Sequence, residues 1–68
     1  METQLKMILH HLKIRPLTPM EALVHIGCFR LAARIFDLRK AGYVIDMKMI
    51  EEEETGARYA EYTLISEP

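Results

Sequence analysis

At 68 residues the chain holds one domain, near the lower limit at which a hydrophobic core stands without staples, and its single cysteine excludes an internal disulfide and a cysteine-based zinc site. Half of the residues are hydrophobic and 28% are charged, with no low-complexity run and no apolar run long enough to span a bilayer, which excludes a disordered chain and a membrane helix. The formal net charge of −1 conceals an imbalance: residues 1–50 carry eight Lys/Arg against four Asp/Glu, whereas residues 51–68 carry one against six.

Met1 leads straight into an amphipathic pattern instead of a charged and then apolar leader, so a soluble protein inside a cell is expected. Thr3 can cap a first helix, about 3–14, in which Leu5, Ile8, Leu9 and Leu12 form one stripe. It should stop near Ile14, because Arg15 precedes Pro16 and is pushed toward an extended conformation. Leu17 then leads into Thr18-Pro19-Met20-Glu21, where hydroxyl and carboxylate can satisfy each other's amides while proline takes the first helical position. A second helix over 19–26 follows, with Met20, Leu23 and Ile26 at helical spacing, and Gly27 supplies a tight turn.

From Cys28 the pattern predicts a third helix to residue 41, with Leu31, Ile35 and Leu38 as its buried stripe and Gly42 as a left-handed stop. Its opposite side carries Arg30, Ala33, Asp37 and Lys40, with Arg34 on the flank. Beyond Gly42 the period changes. Ile45, Met47 and Met49 alternate with Asp46 and Lys48 in a strand over about 43–50, the two methionines being read as core filling. Thr55-Gly56 marks a hairpin loop, and Ala60, Tyr62 and Leu64 alternate in a second strand over about 58–64, leaving Ile65 to Pro68 to fray. A lone hairpin is marginal, so it must lie on the helices. Three helices followed by a two-stranded wing make an α+β chain of winged helix-turn-helix architecture, one domain over 1–68.

The run PLTPMEALVHIGCFRLAARIFDLRKAGYVI resembles the small helix-turn-helix domain family common in bacteriophage and prophage genomes, through Thr18, Pro19, Ala22, Leu23, Gly27, Arg34, Ile35, Leu38, Arg39 and Gly42. The resemblance implies sequence-dependent binding of double-stranded DNA by the helix after Gly27, in the cytoplasm of a bacterial host. One departure stands out: Glu51, Glu52, Glu53 and Glu54 occupy the wing, where that family often carries basic or neutral residues.

For DNA the candidate contacts are Arg30 and Arg34, four apart near the start of the third helix, with Lys40 on the same helix, Lys48 and Arg58 on the wing, and Thr18 with the free amides behind it. Each has a plainer reading: Arg34 can pair with Asp37 or Asp46, Thr18 caps its own helix, and Arg39 covers apolar surface with its stem. A net charge of −1 also weighs against DNA, since affinity for phosphate comes from neutralising it. The four glutamates support a second reading, in which the acidic wing, together with the Phe29/Phe36 flank of the third helix, docks on a basic host protein and inhibits a defence or regulatory factor in an anti-CRISPR-like way. Phe29 and Phe36 can equally pack on the wing or the first helix.

His10, His11 and His25 do not converge, so no metal site is expected, and Cys28 lacks a paired base. No nucleophile-base pair, phosphate loop or carboxylate dyad is present, which points to a protein that is not an enzyme and needs no cofactor. The expected function is transcriptional or recombination regulation by a DNA-binding protein, acting as a homodimer because one module this small makes a weak monomeric reader.

Overall fold

The computed structural model describes residues 3–68. Helix α1 spans Thr3–Ile14 and buries Ile8, Leu9 and Leu12, with Leu5 half-buried beside them, as its stripe requires. Thr3, the first described residue, is helical, and the capped start expected there lies outside the described residues. The helix ends where Pro16 forbids continuation, its last turn closed by the Arg15 amide on the His11 carbonyl at 2.9 Å.

The predicted capping box forms in full. Thr18 Oγ1 accepts the Glu21 amide at 3.3 Å, while Glu21 Oε1 accepts both the Thr18 amide and the Thr18 hydroxyl at 3.1 Å. It starts α2, Pro19–Glu21. The chain then widens into a π-helical turn, Ala22–Ile26, in which the Gly27 amide reaches the Ala22 and Leu23 carbonyls. The expected single α-helix over 19–26 is therefore corrected. Its inner residue is also different: Ala22 is buried, whereas Met20 and Leu23 are exposed and Ile26 half-buried.

Gly27 takes the left-handed conformation foreseen for it, φ +76°. The third helix does not begin at Cys28, however. The Cys28 amide is drawn back to the Ala22 carbonyl at 3.0 Å and its side chain is buried in the core, which pulls the chain off a helical path until Arg30, the N-cap at φ −126° and ψ 59°. Helix α3 is Leu31–Lys40 and buries Leu31, Ile35 and Leu38. It stops at Gly42, φ +104°, with the Tyr43 amide on the Leu38 carbonyl and the Gly42 amide on that of Arg39, both at 3.1 Å.

Strands β1, Val44–Glu51, and β2, Arg58–Ser66, pair antiparallel with Ile45 opposite Leu64, Met47 opposite Tyr62 and Met49 opposite Ala60. A bulge lies between Val44 and Ile45. The loop between the strands is closed by the Glu52 amide on the Ala57 carbonyl and the Gly56 amide on the Glu52 carbonyl, both at 2.8 Å. Two expectations fail here. Ile65 and Ser66 belong to β2, and Glu67 is tied to Lys13 at 3.2 Å, so the end of the chain is held in place instead of fraying. Met47 and Met49 lie on the inner face yet remain 46% and 55% exposed, because only the Ile45 end of that face reaches the helices.

Leu17 joins the two halves. It is fully buried and exchanges both backbone hydrogen bonds with Tyr62 at 2.9 Å, forming a one-residue third strand beside β2. The core of Ile8, Leu12, Leu17, Ala22, Cys28, Leu31, Ile35, Leu38, Ile45 and Tyr62 closes around this junction.

Leu17→Ala should cost about 2–5 kcal/mol, a large part of the roughly 3–10 kcal/mol that a chain of this size holds, and urea denaturation followed by circular dichroism should show the unfolding midpoint lowered correspondingly. Thr18→Ala should lower stability by about 0.5–2 kcal/mol, whereas Thr18→Ser, which keeps both hydroxyl bonds, should stay close to the parent in the same measurement.

Candidate nucleic-acid interface

Helix α3 turns Ala32, Phe36, Arg39 and Lys40 outward, with Phe29 and Arg30 just ahead of its first turn. The sequence leaves two places open for Phe29 and Phe36, an exposed partner surface or packing on the wing or first helix, and the structure gives the first: they are 87% and 59% exposed, on the outer face of the element. Lys40 lies over the Phe36 ring, its Nζ 5.5 Å from the centroid. Half of this face is thus apolar.

The cations are unequally available. Arg30 is exposed, makes no cap bond and has no partner among the described residues. Arg34 is half-buried and pairs with Asp37, Nη2 to Oδ2 at 3.1 Å, while its Nε is shielded from solvent without a hydrogen-bond partner. A base or phosphate contact by Arg34 would have to draw it away from Asp37, an exchange that costs little because a one-turn surface pair is worth about 0.3–0.5 kcal/mol. The alternative partner, Asp46, instead accepts the Met47 amide at 3.0 Å. Arg30 is the N-cap and its carbonyl accepts the Arg34 amide at 3.2 Å, so the two arginines stand one turn apart at the start of the helix, although the Arg30 backbone is not helical. Arg39 donates through Nε and Nη2 to the Ile45 carbonyl at 3.2 and 2.7 Å, binding α3 to the start of β1.

On the wing, Lys48 is exposed and stands opposite Glu61, and Arg58 is 3.6 Å from Glu51, both ends well exposed. Glu51, Glu52, Glu53 and Glu54 are all solvated. Thr18 borders a cleft of about 630 Å³ shared with Met20, Glu21, Glu52, Arg58, Tyr59 and Glu61. Three carboxylates face one guanidinium there, and the Thr18 hydroxyl is engaged by Glu21, so the cleft repels phosphate and Thr18 serves chiefly to start α2.

A second groove, of about 550 Å³, runs between α1 and the π turn. Met7, Ile14 and Ile26 supply its apolar lining, and Lys6, His10, His11, Arg15 and His25 its polar one, without a carboxylate. The signal for it was available in Met7 and Ile14, which sit seven apart on α1, off the buried stripe. Among the described residues no group of His, Cys, Asp or Glu could hold a metal ion, and no helix is long and apolar enough to cross a membrane.

A family described as a winged helix-turn-helix domain matches residues 3–67, essentially the whole described chain. No curated protein and no solved structure matched it.

Proposed function

Since the chain belongs to the winged helix-turn-helix domain family, we propose that it binds double-stranded DNA with α3 in the major groove and regulates transcription or recombination in a bacteriophage or prophage. The observation that carries this reading is Arg30: an unpaired, exposed guanidinium held at the entrance of α3, the end that such folds address to base edges and phosphates. Arg34 joins it by releasing Asp37, Lys40 meets the backbone from the far end of the helix, and Lys48 and Arg58 add weaker contacts from the wing. The chain acts by binding and not by catalysis, without a cofactor.

One observation favours a second reading: Phe29 and Phe36 are large and exposed on the outer face of α3, and the wing carries four solvated glutamates. Together they suit a basic host protein that also offers an apolar pocket. The two readings diverge in their response to the same variants.

Fluorescence anisotropy with labelled random duplex DNA should show micromolar binding that weakens with salt, and replacing Arg30 and Arg34 together by alanine should flatten the log-log salt slope by about two units. Absence of binding at low salt would exclude the DNA reading for this chain. Replacing Glu51, Glu52, Glu53 and Glu54 by glutamine should tighten DNA binding by removing repulsion, whereas a protein-docking wing requires that the same quadruple variant lose its partner while DNA is ignored throughout.

A further inference from the structure

The free edge of the hairpin is self-complementary, and we propose that two copies of the chain pair there, β1 to β1, into one four-stranded antiparallel sheet. Strand β2 is covered on both sides, by β1 along its length and by Leu17 at Tyr62, whereas β1 has no strand on its outer side among the described residues. Beyond the Ile45 carbonyl, which Arg39 occupies, the outer edge of β1 forms a ready template for another strand.

Side chains stand where that strand would be. Arg39 donates to the Ile45 carbonyl, and Asp46 Oδ1 accepts the Met47 amide. In an antiparallel ladder alternate residues turn both backbone groups to the same side, so Ile45, Met47 and Met49 are the residues whose amides and carbonyls face the open edge.

The sequence of β1 reads as its own complement about Met47. A two-fold axis through that residue sets Met47 against Met47 of the second copy, Ile45 against Met49, Asp46 against Lys48 and Val44 against Ile50. Apolar residues then meet apolar ones on both faces, and each strand's two charges meet their opposites. Neighbouring registers fail. A shift by one residue turns every apolar position against the wrong face. A shift by two in either direction puts Asp46 against Asp46 or Lys48 against Lys48 on the axis.

The Met47-centred register also uses the backbone groups that face outward. The Met47 amide passes from Asp46 to the Met47 carbonyl of the second copy, which frees Asp46 for Lys48 across the axis. The Ile45 carbonyl takes two Arg39 donors in the single chain, and pairing exchanges the longer of them, Nε at 3.2 Å, for the Met49 amide opposite while Nη2 at 2.7 Å stays. Pairing covers Met47, Met49 and Val44, the apolar residues that a single chain leaves exposed along this strand. Because the contact is isologous it closes at two copies and does not propagate into fibres.

This inference stands on the strand alone and holds whether or not the chain binds DNA. Sedimentation velocity of the wild-type protein without DNA, from about 1 to about 500 µM, should show a monomer giving way to a dimer and nothing larger. Asp46→Lys and Lys48→Asp should each remain monomeric, because each sets like charges across the axis, whereas their equimolar mixture and the Asp46→Lys/Lys48→Asp double variant should dimerise again. Hydrogen exchange on the wild-type chain needs no substitution: the Met47 and Met49 amides should exchange more slowly as the dimer fills, while the loop amides of residues 53–55 keep their rate. A wild-type chain that stays monomeric throughout this range overturns the proposal. So does a dimer whose Met47 and Met49 amides gain no protection.

Discussion

The two hydrogen bonds between Leu17 and Tyr62 are what make a helical half and a hairpin into one domain. A two-stranded hairpin has too little surface of its own to stay folded, and two short helical segments bury little more. Leu17 occupies the interval between α1 and α2, where Pro16 and the Thr18 cap leave room for one extended residue. Its backbone extends the sheet while its side chain enters the helical core. One residue thus serves both layers and brings the Ile45 and Tyr62 side chains into one core with Ile8, Leu12 and Leu38.

The helical elements were legible because their signals are local. Thr18 and Glu21 predict their own reciprocal bonds, Gly27 and Gly42 both adopt positive φ, and the Leu31/Ile35/Leu38 stripe is the buried one. The failures occur where a tertiary contact overrides a local pattern. Cys28 continues the helical spacing on paper, but burying its side chain and bonding its amide to Ala22 delays α3 by three residues. That shift makes Arg30 the N-cap of α3 instead of a residue of its first turn. Met47 and Met49 obey the strand period faithfully, yet period alone cannot tell how far the helices extend along a sheet face, and here they stop short. The Leu17 bridge has no local signal, since a single paired residue leaves no alternating pattern to find.

The candidate interface illustrates how charge count and charge availability differ. The sequence offers several basic residues for phosphate, but Arg39 is bonded to the Ile45 carbonyl, Arg34 to Asp37, Arg58 lies near Glu51, and Lys40 rests on an aromatic ring. Arg30 and Lys48 are the members of the candidate set without such a partner among the described residues. The surface ion pairs, Arg34 with Asp37 and Arg58 with Glu51, are weak and exchange readily, so they lower the readiness of a cation without removing it. Arg39 differs: its part-buried bonds to a backbone carbonyl tie α3 to the start of β1.

The acidic wing and the apolar outer face of α3 impose a geometric consequence on the DNA reading. Four solvated glutamates at the tip repel the phosphates that a wing ordinarily follows, so contact with a duplex concentrates at the Arg30 end of α3. A footprint that small neutralises few phosphates and releases few counterions, which leaves one copy with weak and poorly selective affinity. Two copies related by a two-fold axis double the footprint and add a fixed spacing between their helices, which a single domain cannot read. Joining them through β1 would use the Asp46/Lys48 face and the exposed methionines, none of which the α3 contact requires, so association and DNA binding draw on separate parts of the same 68 residues.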